Sequence, residues 1–119
     1  MAKSVLLISC QAPWAGIDAA EALDIALAAG AFDLPLSMLF MGDGVFQLLD
    51  QQQPQLLEQK DLSANLHALP MFGIDQLYVA EQCLNQRGVD KSQLAVNAEP
   101  LGDSQIQQLI GQFDHVVTL

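Results

Sequence analysis

Positive charge is what this chain has least of. Lys3, Lys60, Arg87 and Lys91 stand against fourteen acidic residues, for a net charge of −10. Proteins that hold nucleic acid draw most of their affinity from Lys and Arg set against phosphates. Four scattered cations make no such stripe, so direct binding of nucleic acid or of an anionic membrane is excluded. If RNA is the eventual customer, another subunit must bring the charge. Cysteine is nearly as scarce. Cys10 and Cys83 are the only two, no CxxC pair occurs, and His67 and His115 stand apart. That excludes a disulfide framework and argues against a structural zinc site. Long apolar runs are missing too: each is broken by Gly, Pro or an acid well short of the ~20 residues a bilayer span needs. Met1-Ala2-Lys3-Ser4 leads into a short strand-like run rather than a secretory leader, so the expected address is the cytoplasm.

Apolar residues, by contrast, are plentiful. They make up 51% of the 119 residues, whereas charged residues are only 15%, against an average near 25%. That balance rules out disorder and leaves more apolar surface than one small domain easily hides. The length suits a single domain over residues 1–119.

The apolar runs alternate with helical patterns. Ser4 to Ser9 and Leu34 to Met41 read as strands buried on both faces, as in a parallel sheet. Ile17 to Ala29 has helical spacing, with Gly30 as its expected stop. Asp50 to Gln59 reads as a Gln-rich surface loop, and Asp61 to about Leu69 as a helix ended by Pro70-Met71-Phe72-Gly73. Leu77 to Ala80 is a third strand, followed by a helix from Glu81 to Arg87. Leu94 to Asn97 is expected as a fourth strand, with a turn over Pro100 to Asp103. Ser104 would then cap a last helix, and Val116 to Leu119 closes as a fifth strand. This order predicts a three-layer α/β/α fold around a five-stranded parallel sheet.

In such sheets chemistry gathers at the carboxyl ends of strands, which singles out Cys10 to Gly16, Gly42 to Gly44, and Ala80 to Cys83. Gly42-Asp43-Gly44 lacks the third glycine of a dinucleotide fingerprint and the Lys of a phosphate loop. It therefore reads as a tight strand-to-helix turn, and no cofactor or metal is expected. Cys83 falls in the first turn of the helix after the third strand, where free N–H groups favour a thiolate able to accept or pass sulfur. An inert thiol packed like a small apolar residue is the competing reading, and Cys10 fits that description better still. No Ser/His/Asp, Cys/His or paired-carboxylate arrangement follows from spacing. Phe46, Leu48 and Leu49, together with Met71 and Phe72, form apolar clusters beside short helices. Part of each is expected to meet a partner surface.

Gly42-Asp43-Gly44-Val45-Phe46-Gln47-Leu48-Leu49, preceded by the strand Leu36 to Met41, resembles the "DGVFQLL" stretch of the TusC (DsrF) family. The opening strand with Ala12-Pro13, and Ile74 to Ala80 leading to Gln86-Arg87-Gly88-Val89-Asp90, resemble it as well. The resemblance implies a DsrE/F-like fold in a cytoplasmic heterohexamer with TusB-like and TusD-like subunits. Such a complex relays persulfide sulfur, through a carrier and on to a tRNA-thiolating enzyme, for 2-thiolation of the wobble uridine. In the related Dsr branch the assembly serves sulfur oxidation. The resemblance also implies a relay cysteine seven residues before the Arg of an Arg-Gly pair; counting back from Arg87, that slot holds Ala80. A non-catalytic, structural role follows, with the catalytic thiol on the TusD-like partner. Cys83, one helical turn further on, is the alternative direct persulfide carrier.

Overall fold

A computed structural model describes residues 4–11, 18–31, 35–48, 68–74, 76–90, 92, 94 and 97–119. Five strands form one all-parallel sheet: β1 (Val5–Ser9), β2 (Leu36–Phe40), β3 (Leu77–Ala80), β4 (Glu99–Leu101) and β5 (His115–Thr118). Their spatial order is β4-β3-β2-β1-β5. The α-helices are α1 (Asp18–Ala31), α2 (Glu81–Gln86) and α3 (Asp103–Gly111), and two 3-10 helices span Gly42–Leu48 and Leu69–Phe72.

The period-2 alternation of strand side chains explains why the strands are apolar throughout. In β1 and β2, Leu7, Met38 and Phe40 point to one face and pack with Ala22, Leu23 and Ala26 of α1. Leu6, Ile8 and Leu39 point to the other and pack with Ile106 and Leu109 of α3. Central β2 is buried at all five positions. β5 lies at a sheet edge and is exposed along its length, including Val116 and Val117.

The five strands in α/β alternation are as the sequence predicts, but several bounds move. α1 runs on through Ala31, with Gly30 buried in its last turn. Of the expected fourth strand Leu94 to Asn97, residues 95 and 96 lie outside the described residues and Asn97 is not in a strand; β4 lies further along, pairing Tyr78 with Glu99, Val79 with Pro100 and Ala80 with Leu101. Pro100 has no N–H to donate, which an edge strand tolerates, and Leu101 supplies a buried side chain. The turn expected over Pro100 to Asp103 is therefore partly strand. Nor does Ser104 cap α3. Gly102 is the N-cap, and its N–H donates to Gln105 Oε1 at 2.9 Å. Pro70 lies in the first turn of the 3-10 helix Leu69–Phe72. Leu49, the Gln-rich segment 50–59 and the helix expected from Asp61 lie outside the described residues.

Candidate functional site

The site forms where β1, β2 and β3 end. The register sets Ser9 beside Phe40 and Phe40 beside Val79, so Cys10, Met41 and Ala80 follow at the same edge. Cys10 is held from both sides: its N–H donates to the Leu119 carbonyl at 2.9 Å, and the Met41 N–H donates to the neighbouring Ser9 carbonyl at 3.1 Å. β2 then tightens into the 3-10 helix Gly42–Leu48. Two glycines make this turn possible. Gly42 adopts a left-handed φ of 54°, a conformation that penalises side chains. A Cβ on Gly44 would overlap the Ser9 carbonyl oxygen.

Gln47, on the same 3-10 helix, is fully buried. Its Nε2 donates to Ser9 Oγ at 2.7 Å and to the Gln11 carbonyl at 2.8 Å. It therefore ties down the Ser9 side chain and the Gln11 backbone, on either side of Cys10. Sequence reasoning gave Gln47 no role, because a lone Gln among apolar residues carries no pattern that marks it as buried.

β3 ends at Ala80, which is 2% exposed in the cluster beneath α3. The slot in which the family resemblance implies a relay thiol thus holds a buried methyl group. Cys83, one turn on, is half-buried, and its Sγ accepts the Gly42 N–H at 3.2 Å. Arg87, just past the end of α2, sends Nε to Asp43 Oδ1 at 3.0 Å and Nη1 to the Cys83 carbonyl at 3.4 Å. Arg87 is the only Lys or Arg among the described residues, and it is directed to a carboxylate and a carbonyl. Cys10 and Cys83 come together here, which spacing alone did not predict. Burial first, and the nearby Cys83 sulfur second, push the Cys10 thiol above its ordinary range.

The apolar residues expected to meet a partner separate. Leu48 is 0% exposed and Phe46 is half-buried against the same core. Leu48 presents no surface and is a core residue, so its expected place on a partner surface is corrected. Met71 is 86% exposed. Phe72 closes the second 3-10 helix, and its side chain, like Leu49, lies outside the described residues. An open cleft of about 460 Å³ beside α2 is lined by Glu81, Leu84, Asn85, Gly88, Val89, Asp90 and Pro100. Its ionisable groups are acids, which disfavours an anionic ligand, and neither cysteine lines it. Among the described residues no group of three or more His, Cys, Asp or Glu could hold a metal ion, and no helix is long and apolar enough to cross a membrane.

A parallel α/β domain with two thiols and an Arg-Gly element at the carboxyl edge of its sheet is the class these features define. The chain belongs to the DsrE/DsrF-like family, whose family model matches residues 3–119. It is 55% identical to a protein of Pseudomonas aeruginosa named "Protein TusC homolog", over the whole length of both chains. Its fold is that of the ychN protein from E. coli, at a TM-score of 0.84 and 23% identity over all of both chains. A conserved protein of unknown function from Bacteroides thetaiotaomicron has the same fold at a TM-score of 0.69 and 10% identity, covering 98% of this chain and 95% of that one.

Proposed function

We propose that this chain is a non-catalytic subunit of a cytoplasmic sulfur-relay complex that supports 2-thiolation of the wobble uridine in tRNA. The reading starts from the full-length likeness to a protein named as a TusC homolog. Ala80 is the observation that carries it. A buried methyl group at the end of β3 stands where the resemblance implies a persulfide-forming cysteine, and a methyl group cannot hold sulfur. The chain's contribution is then to assembly: it completes a particle whose transferring thiol belongs to a TusD-like subunit, with a TusB-like subunit as third member. The net charge of −10 leaves contact with tRNA to other components. The chain acts as one domain, and exposed Met71, with half-buried Phe46 beside the 3-10 turn, belongs to the contact with those subunits.

Native mass spectrometry of a tagged copy purified from its own cells tests this. Two related α/β subunits of similar size are expected with it in a heterohexamer. A chain that emerges alone and monomeric overturns the reading. Met71→Glu should weaken that assembly while leaving the chain's own unfolding midpoint unchanged, since the side chain stands in solvent.

A second reading, in which Cys83 itself carries persulfide, has one observation in its favour. The Gly42 N–H is directed at Sγ and holds that sulfur at the carboxyl edge of the sheet. Maleimide trapping of a persulfide on Cys83, read by intact mass, separates the two. The same subunit type in a sulfur-oxidising particle differs in what accepts the sulfur. Loss of thiolated tRNA on deleting the gene favours the first assignment.

A further inference from the structure

Cys10 follows the end of β1 and Cys83 lies in the first turn of α2, directly after β3; the two strands are not neighbours, since β2 runs between them. Adjacent strands are about 4.8 Å apart, so two strand spacings would ordinarily keep the ends of β1 and β3 separate. Here the intervening strand gives way. It ends at Phe40, and the residue interposed between the two cysteines is Gly42. The Gly42 N–H donates to Cys83 Sγ at 3.2 Å. The position a Cβ would take on Gly42 is 3.7 Å from the Cys10 carbonyl oxygen. Gly42 therefore contacts the Cys83 sulfur, lies near the Cys10 backbone, and brings no side chain of its own to this edge. Both side chains pack against the same cluster of Leu6, Ile8, Leu39 and Ala80, and both are half-buried, open enough for a small reagent. Burial, and then the nearby Cys83 sulfur, push the Cys10 thiol up.

We propose that Cys10 and Cys83 form a redox-active dithiol that a small hydroperoxide converts to an intramolecular disulfide. The Cys83 sulfur, with a backbone donor directed at it, attacks the O–O bond. One oxygen stays as the sulfenic acid S–OH, and the other leaves with its substituent as an alcohol, or as water if the oxidant is hydrogen peroxide. Cys10 then attacks the sulfenic sulfur. The S–S bond forms, the S–O bond breaks, and hydroxide leaves with the Cys10 proton as water. Two thiols lose two electrons and the hydroperoxide gains them; an external dithiol reverses the step by exchange. The product ties the end of β1 to the first turn of α2 across the tip of β2. This chemistry does not depend on the relay assignment.

The full chain, reduced and freed of reductant, is exposed to hydrogen peroxide, quenched with N-ethylmaleimide and weighed intact under denaturing conditions. The expected product is a monomer lighter by about 2 Da, the two hydrogens lost on disulfide formation, that takes up no maleimide. Digestion should yield a Cys10–Cys83 cross-linked peptide, and dithiothreitol should restore both maleimide adducts. Cys10→Ser and Cys83→Ser should each abolish the cross-link, and circular dichroism matching the parent shows that they fold. The proposal is overturned if the parent chain keeps two alkylatable thiols, gathers stable oxygen adducts, or links only between chains.

Discussion

Arg87 Nε lies 3.0 Å from Asp43 Oδ1, joining the end of α2 to the turn that follows β2. The same guanidinium donates to the Cys83 carbonyl, and its Nη2 lies 4.0 Å from where a Gly42 Cβ would stand. Arg87 thus draws α2 and the Gly42-Asp43-Gly44 turn around Cys83. The Asp43 side chain is 61% exposed, so water and salt screen the pair. Arg87→Ala should lower the unfolding free energy by no more than about 1 kcal/mol. Urea titrations at low and high salt check this: the gap between parent and variant should narrow as salt rises.

Two glycines two residues apart should behave differently. Alanine at Gly44 drives its Cβ into the Ser9 carbonyl, which belongs to buried central structure with no room to yield. Gly44→Ala should cost roughly 3 kcal/mol, at the upper end of overpacking losses. At Gly42 a Cβ would make only ordinary contacts, the nearest with the Cys10 carbonyl oxygen at 3.7 Å, and the left-handed backbone is what resists, so Gly42→Ala should cost about 1 kcal/mol. Chemical denaturation of both variants gives the order. Equal losses would mean that the two residues share one kind of constraint.

Cys10 gives the fold an alkaline limit. Its thiol is pushed up by burial and then by the nearby Cys83 sulfur, so folding favours the protonated form. The associated stability is fully present below the ordinary thiol value of about 8.5. It is lost as pH rises through the higher value of the folded state. Unfolding free energy measured from pH 7 upward should therefore begin to fall above about 8.5 and level off once pH has passed the folded-state value, and Cys10→Ser should flatten the fall. Iodoacetamide should likewise modify Cys10 slowly near neutrality and faster as pH rises.

Much of this was legible in the residues. Continuous apolar strands separated by helical patterns can only be buried on both faces, and β1, β2, β3 and their parallel class follow from that. Strand four was missed because Leu94 to Asn97 has the better strand composition, while Glu99–Leu101 holds a proline that only an edge position accepts. The convergence of Cys10, Gly42 and Cys83 was not legible, since it depends on strand order, which periodicity does not encode. Leu48 was misplaced for a related reason: an apolar residue beside a turn looks the same in sequence whether it faces core or partner. Ala80 was placed by counting from Arg87, and the structure sets it at the strand-to-helix junction.

The central claim is that this chain supports sulfur transfer without carrying sulfur. The most direct measurement is the 2-thiouridine content of tRNA from cells whose only copy carries Cys10→Ser and Cys83→Ser together. The account predicts thiolation at the parental level, with the complex assembled as before. Thiolation reduced to that of the gene deletion, in a complex that still assembles, would contradict it.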